Sequence, residues 1–243
     1  NRLGGAQVYE QSLSTISNEI DLNIPFHSFS AKDLLFLENR LYKRGMSING
    51  VGVYLRSLRA ICNSAIQTDL VPSSWYPFSK FQIKKGITTP RVFSLDEMRL
   101  FFGLNLSKKH PDYLYWNIGK LLFMLRGINI TDLLLLSEKN IVDNRIVYKR
   151  AKTGKVYSIA LNQYIEEVLR DFTPNETMLG LFDQNQLKRE NRTQALHQKR
   201  KLINQHMRKI GQNIGAKETL TTYVFRYSYA NIAKQLGYSK DLI

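Results

Sequence analysis

Val51, Leu55, Leu58, Cys62 and Ala65 recur at alternating spacings of four and three. That spacing lays them along one face of an α-helix, and the face must be covered by other apolar surface. The nearest cover is itself helical. Ser30 and Asp33 form a capping box, Leu34, Leu37 and Leu41 make an apolar stripe behind it, and Gly45 is placed to end the helix. Ser47 can cap the next one. Residues 1–87 therefore predict a helical domain.

Beyond Tyr76 the pattern breaks. Pro77, Gly86 and Pro90 are interspersed with Lys80, Lys84, Lys85 and Arg91, and Tyr76–Arg91 reads as an irregular basic linker whose last part is 88–93. A second capping box, Ser94 with Glu97, restarts helix at Ser94–Phe102. An apolar helix is expected at Asp112–Leu125. Arg145–Arg150 and Val156–Leu161 are β-rich and flank Lys152-Thr153-Gly154-Lys155, which predicts a β-hairpin. Helices at Tyr164–Phe172, Thr193–Ile214 and Thr222–Leu236 complete a second domain over 94–243. The expected fold class is mainly α with a small β-sheet (α+β).

Lys and Arg number 35 against 20 Asp and Glu, a formal charge of +15 in 243 residues. Self-repulsion of that size points to a polyanionic partner, although a generic basic protein has the same excess. Apolar runs such as Leu133–Leu136 fall far short of the ~20 residues of a spanning helix, and no segment reads as a signal peptide. A lone Cys62 suits a reducing cytoplasm and a core position. His27, His110, His197 and His206 have no metal-ligand spacing, so neither a metal nor a cofactor is expected.

On the helix of Val51–Ala65 the stripe opposite the apolar one is Asn49, Gly52, Arg56, Arg59 and Asn63. Guanidinium forks and amides match base edges and phosphates, so Asn49, Arg56, Arg59 and Asn63, with Lys84 and Lys85 of the linker, are candidate double-stranded-DNA contacts. An ordinary solvated face explains the same residues equally well. Further along, Arg126 follows an apolar helix, Lys152 opens a hairpin turn, and Tyr223 and Arg226 share one helix face. Taken singly, each has a structural explanation: a helix end, a solvated turn, a packing residue.

In that order, however, Phe123–Leu133, Tyr148–Lys155 and Leu220–Ala230 resemble the catalytic domain of the tyrosine recombinase (phage integrase) family. Tyr54–Ala65 resembles the core-binding (SAM-like) domain of the same family, in the branch found on conjugative transposons. The resemblance covers nearly the whole chain. It implies a two-domain clamp on duplex DNA and a parent enzyme that cuts and rejoins specific sites through a 3′-phosphotyrosyl link. It also implies that Arg126, Lys152, Tyr223 and Arg226 are catalytic, and that the full-length protein assembles as a homotetramer on DNA.

The pattern departs from the family in three places. Tyr223 stands where many members have histidine. Alignment on Asp132 puts Asn129 in the usual slot of the first arginine, with Arg126 about one turn earlier if the segment stays helical. Ser239–Ile243 matches the segment just before the motif that leads to the nucleophilic tyrosine, and no other tyrosine is a good substitute. The expectation is a monomeric fragment that binds DNA without cleaving it. The alternative is an inactive recombinase-derived DNA-binding protein.

Overall fold

The computed structural model describes residues 2–239 and divides the chain into two compact units, 1–88 and 89–243. The match between Ser239–Ile243 and the segment preceding a nucleophile lies, apart from Ser239, outside the described residues.

Unit 1 is built from α1 (Arg2–Ser17), α2 (Ala31–Lys43) and α3 (Ile48–Gln67). The Ser30–Asp33 capping box starts α2, and Ser47 caps α3 by accepting from the Gly50 amide. Both apolar stripes meet as read: Leu34, Leu37 and Leu41 pack with Val51, Leu55, Leu58 and Cys62, joined by Ile16 of α1. A buried hydroxyl pair, Ser12 to Ser57 at 2.9 Å, also fastens α1 to α3. Enclosure pushes the Cys62 thiol up to about 11, which suits a packing residue rather than a nucleophile.

Residues 68–93 carry no helix or strand, yet most of this stretch is not a free linker. Phe78 is buried in the unit 1 core with Trp75, Tyr76, Phe81 and Ile83 packed around it. The expected linker is thus part of unit 1 as far as Gly86, because its aromatic residues bury apolar area there.

Unit 2 contains α4 (Leu95–Phe102), α5 (Tyr113–Met124), α6 (Ile130–Leu134), a three-stranded antiparallel sheet, and four further helices. The strands β1 (Ile141–Val142), β2 (Arg145–Lys149) and β3 (Val156–Ala160) lie in sequence order, with Lys149 opposite Val156 at the hairpin mouth. Then follow α7 (Gln163–Leu169), α8 (Gln184–Leu187), α9 (Arg189–Asn213) and α10 (Thr222–Gln235). The core joins Phe101 of α4, Leu121 and Leu122 of α5, Ile146 and Ile159 of the sheet, Met207 of α9 and Phe225 of α10. The architecture is therefore mainly α with one small sheet. Among the described residues no helix is long and apolar enough to cross a membrane.

Three helices approach most closely at Gly119 of α5. A methyl group there would stand 2.5 Å from Cζ of Phe101 and 2.8 Å from Cζ of Phe225, both fully buried. Gly119→Ala should therefore overpack the core and lower unfolding free energy by about 1–3 kcal/mol, read as a reduced urea midpoint. An unchanged midpoint contradicts this packing.

Candidate nucleic-acid and phosphate site

Helix α5 ends at Met124, and the chain then turns through two left-handed residues, Arg126 at φ 56° and Gly127 at φ 67°. The segment does not stay helical, so the one-turn offset between 126 and 129, which depended on that, does not apply. A left-handed conformation is uncommon for a residue with a Cβ and costs about 1 kcal/mol or more, so the surrounding packing must hold it. The hold comes from α10. Cβ added at Gly127 would lie 2.7 Å from the Arg226 Cα, and Nη1 of Arg226 donates to the Gly127 carbonyl at 2.7 Å. Only glycine permits both the backbone turn and this approach.

Asn129, the other candidate for the first arginine's role, is the N-cap of α6: its side-chain oxygen accepts from the Thr131 amide at 2.9 Å. One turn into that helix, Asp132 accepts from the Ala151 amide at 3.2 Å. That bond ties α6 to the hairpin turn, next to Lys152. The turn is closed by Arg150 N–H to the Lys155 carbonyl at 2.8 Å and Gly154 N–H to the Arg150 carbonyl at 2.9 Å. Two hydrogen bonds thus link the Arg126 turn, the Lys152 turn and the Arg226 helix through neighbouring residues. Arg126 and Lys152 are themselves exposed, while Arg226 is half-buried and retains donors beyond the one given to Gly127.

Between these elements sits Tyr148, buried on β2 and stacked on Tyr157 with ring centres 5.3 Å apart. Burial, followed by the Asp132 carboxylate, holds its phenol well above the ordinary tyrosine range, with Arg226 and Arg150 opposing. Tyr223 is exposed and meets Tyr227 edge-to-face at 5.0 Å. The Tyr227 phenol is raised by burial and by Tyr223, the reverse of an activated nucleophile.

On unit 1, α3 presents Arg56, Arg59 and Asn63 to solvent. Asn49 and Lys84, also expected as DNA contacts, have partners within the unit. Asn49 clasps the Gly86 peptide, donating to its carbonyl at 3.2 Å and accepting from its amide at 3.0 Å, and donates to Thr88 at 2.8 Å. Lys84 reaches the buried carboxylate of Glu38 at 3.1 Å. These bonds fasten the basic segment over Gly52 and shape an open cleft of about 790 Å³ lined by Asn49, Val53, Arg56, Lys85, Gly86, Ile87 and Thr88. No carboxylate lines it, so Arg56 and Lys85 give it a positive field.

Two residues that build the Lys152 turn do not stand out in the sequence: Asp132, its anchor, and Arg150, which closes it two positions after the buried Tyr148.

No protein-family model and no characterised relative matches the sequence. Solved structures do match the fold. A lambda integrase dimer bound to a COC' core site is similar with a TM-score of 0.70 at 13% identity, over 94% of this chain and 79% of that one. A lambda integrase tetramer bound to a Holliday junction gives 0.71 at 14%, over 96% and 68%. The Tn1549 transposon integrase in complex with transposon right end DNA gives 0.69 at 16%, over 98% and 83%. The fold is that of these integrases, as the resemblance in the sequence implied.

Gly45 supplies a control for the Gly127 contact, having the same left-handed backbone (φ 79°) with nothing within 4 Å of an added Cβ. Gly127→Ala should cost more stability than Gly45→Ala, by about 1–3 kcal/mol, in paired urea denaturations. Equal losses would mean that α10 does not hold the turn.

Proposed function

We propose that this chain is the DNA-holding and phosphate-activating part of a site-specific tyrosine recombinase of a mobile element. The hydrogen bond between Arg226 and the Gly127 carbonyl, which draws together two arginine-bearing segments distant in sequence, carries the reading. The integrase fold and the cationic surfaces support it.

In this reading a tyrosine oxygen attacks the scissile phosphorus as the bond from phosphorus to the 5′-oxygen breaks. Arg126 and Arg226 stabilise the negative charge gathered on the phosphoryl oxygens, as permanently charged donors suit that task. Lys152 delivers a proton to the departing 5′-oxygen. The phosphotyrosyl link conserves the energy of the phosphodiester, so the reverse steps rejoin strands without ATP. Asp132 keeps the lysine's hairpin at the site through the Ala151 amide, and Arg56, Arg59, Asn63 and Lys85 grip the duplex from unit 1. The complete protein works as a tetramer on paired sites.

A second reading, an inactive recombinase descendant that only occupies DNA, draws on the capping role of Asn129 and on Tyr223. Tyr223 can donate a hydrogen bond but shuttles no proton easily near neutrality.

Three measurements test the proposal. The 243-residue chain should prefer duplex DNA over single strands and RNA in gel-shift competition. Arg56→Ala with Arg59→Ala should lower the slope of log affinity against log salt by about 2, roughly 0.9 for each lost phosphate contact; an unchanged slope returns that helix face to solvent. In the complete protein, Arg226→Ala should cut covalent complex formation on a nicked suicide substrate by about 10²–10³-fold while largely sparing binding. Normal covalent yield from that variant would remove Arg226 from the chemistry, and no covalent product from the unaltered complete protein would favour the second reading.

A further inference from the structure

Among the described residues, one buried side-chain polar atom lacks a hydrogen-bond partner, and it is Nε of Arg150. Buried donors are nearly always satisfied, and leaving one unmade costs about 1–3 kcal/mol. An orphan on a permanently charged group marks a place where an acceptor belongs. Arg150 as a whole is only half-buried, so the side chain is enclosed at Nε while its outer edge reaches solvent.

Its surroundings narrow the acceptor. Arg150 closes the turn that displays Lys152, through its own N–H and carbonyl. It comes directly after β2, two positions beyond the buried Tyr148. The carboxylate of Asp132 is in the neighbourhood, yet it accepts from the Ala151 amide and forms no ion pair with Arg150. Ala151, the next residue, donates to Asp132, and Arg226 donates to the Gly127 carbonyl, so hydrogen bonds tie the Arg150 turn and the Arg226 helix to the two ends of one short segment. Among the described residues neither guanidinium has a carboxylate partner, and an anion placed before both would relieve their mutual repulsion.

We propose that Arg150 is a further phosphate-binding residue of the site, acting beside Arg226 on the same DNA phosphodiester and holding the Lys152 turn in register with it. This rests on the function proposed above. The guanidinium fork takes phosphoryl oxygens through its outer edge, and the shift of the side chain that accompanies binding gives the enclosed Nε–H its missing acceptor. A lysine at 150 keeps the charge and loses the planar fork, so it should substitute poorly.

The test uses the 243-residue chain and a short duplex. In the unaltered protein, the Nε–H signal of Arg150 in an arginine-selective proton–nitrogen NMR spectrum should shift on adding duplex. Arg150→Lys identifies the signal by its loss, and scalar connectivities identify it if that variant does not fold. Arg150→Gln, of similar reach but uncharged, should weaken binding about threefold to tenfold and lower the salt slope by about 1. An Nε–H signal unmoved at saturating DNA overturns the proposal, as does a folded Arg150→Gln protein with unaltered affinity and slope. Failure of the unaltered chain to bind duplex at all would instead sink the function on which the proposal rests.

Discussion

The site depends on one close approach, the seating of the α10 backbone at Arg226 against the glycine that follows Arg126. The approach sets three things together: the left-handed turn that ends α5, the direction in which Arg126 leaves it, and the orientation of the Arg226 guanidinium through the Gly127 carbonyl. A side chain at 127 would force α10 away and undo all three. Strain in the Arg126 backbone is tolerable because buried packing on both sides, Leu125 and Ile128 included, fixes the turn. The short helix α6 then carries this geometry to the sheet, where Asp132 holds the Lys152 turn by a backbone amide. The sheet is also seated in the core, and the register of β2 on β3 is set by buried Ile146 and Ile159, which fixes the position of the Lys152 turn.

Unit 1 solves a different problem, presenting cations without letting their segment wander. Its basic segment lacks secondary structure, so its backbone groups need other partners. Asn49 supplies both a donor and an acceptor to Gly86, and the buried carboxylate of Glu38 draws in Lys84. Asn49 and Lys84 thus help shape the surface on which Arg56, Arg59, Asn63 and Lys85 are exposed.

Helices with capping boxes and long apolar stripes were legible from the chain alone, since Ser30–Asp33 and Ser94–Glu97 state their starts locally. So was the hairpin, from alternation about a Lys-Thr-Gly-Lys turn. Elements too short to show a period were not: α6 has five residues and β1 two, and both exist through tertiary contacts. The bonds of Asn49 and Lys84 and the unpartnered Nε of Arg150 depend on tertiary neighbours, which spacing along the chain does not encode. The helix end before Arg126 was legible, but an arginine before a glycine gives little warning that both adopt positive φ.

The central claim is that Arg126, Lys152 and Arg226 serve one phosphate. A crystal structure of the chain bound to a duplex tests it most directly. The account predicts one phosphodiester within hydrogen-bond reach of all three side chains at once, with the Arg226 to Gly127 hydrogen bond intact. A well-ordered duplex in which any of the three contacts no part of that phosphate, or lies on a surface away from the DNA, would contradict it.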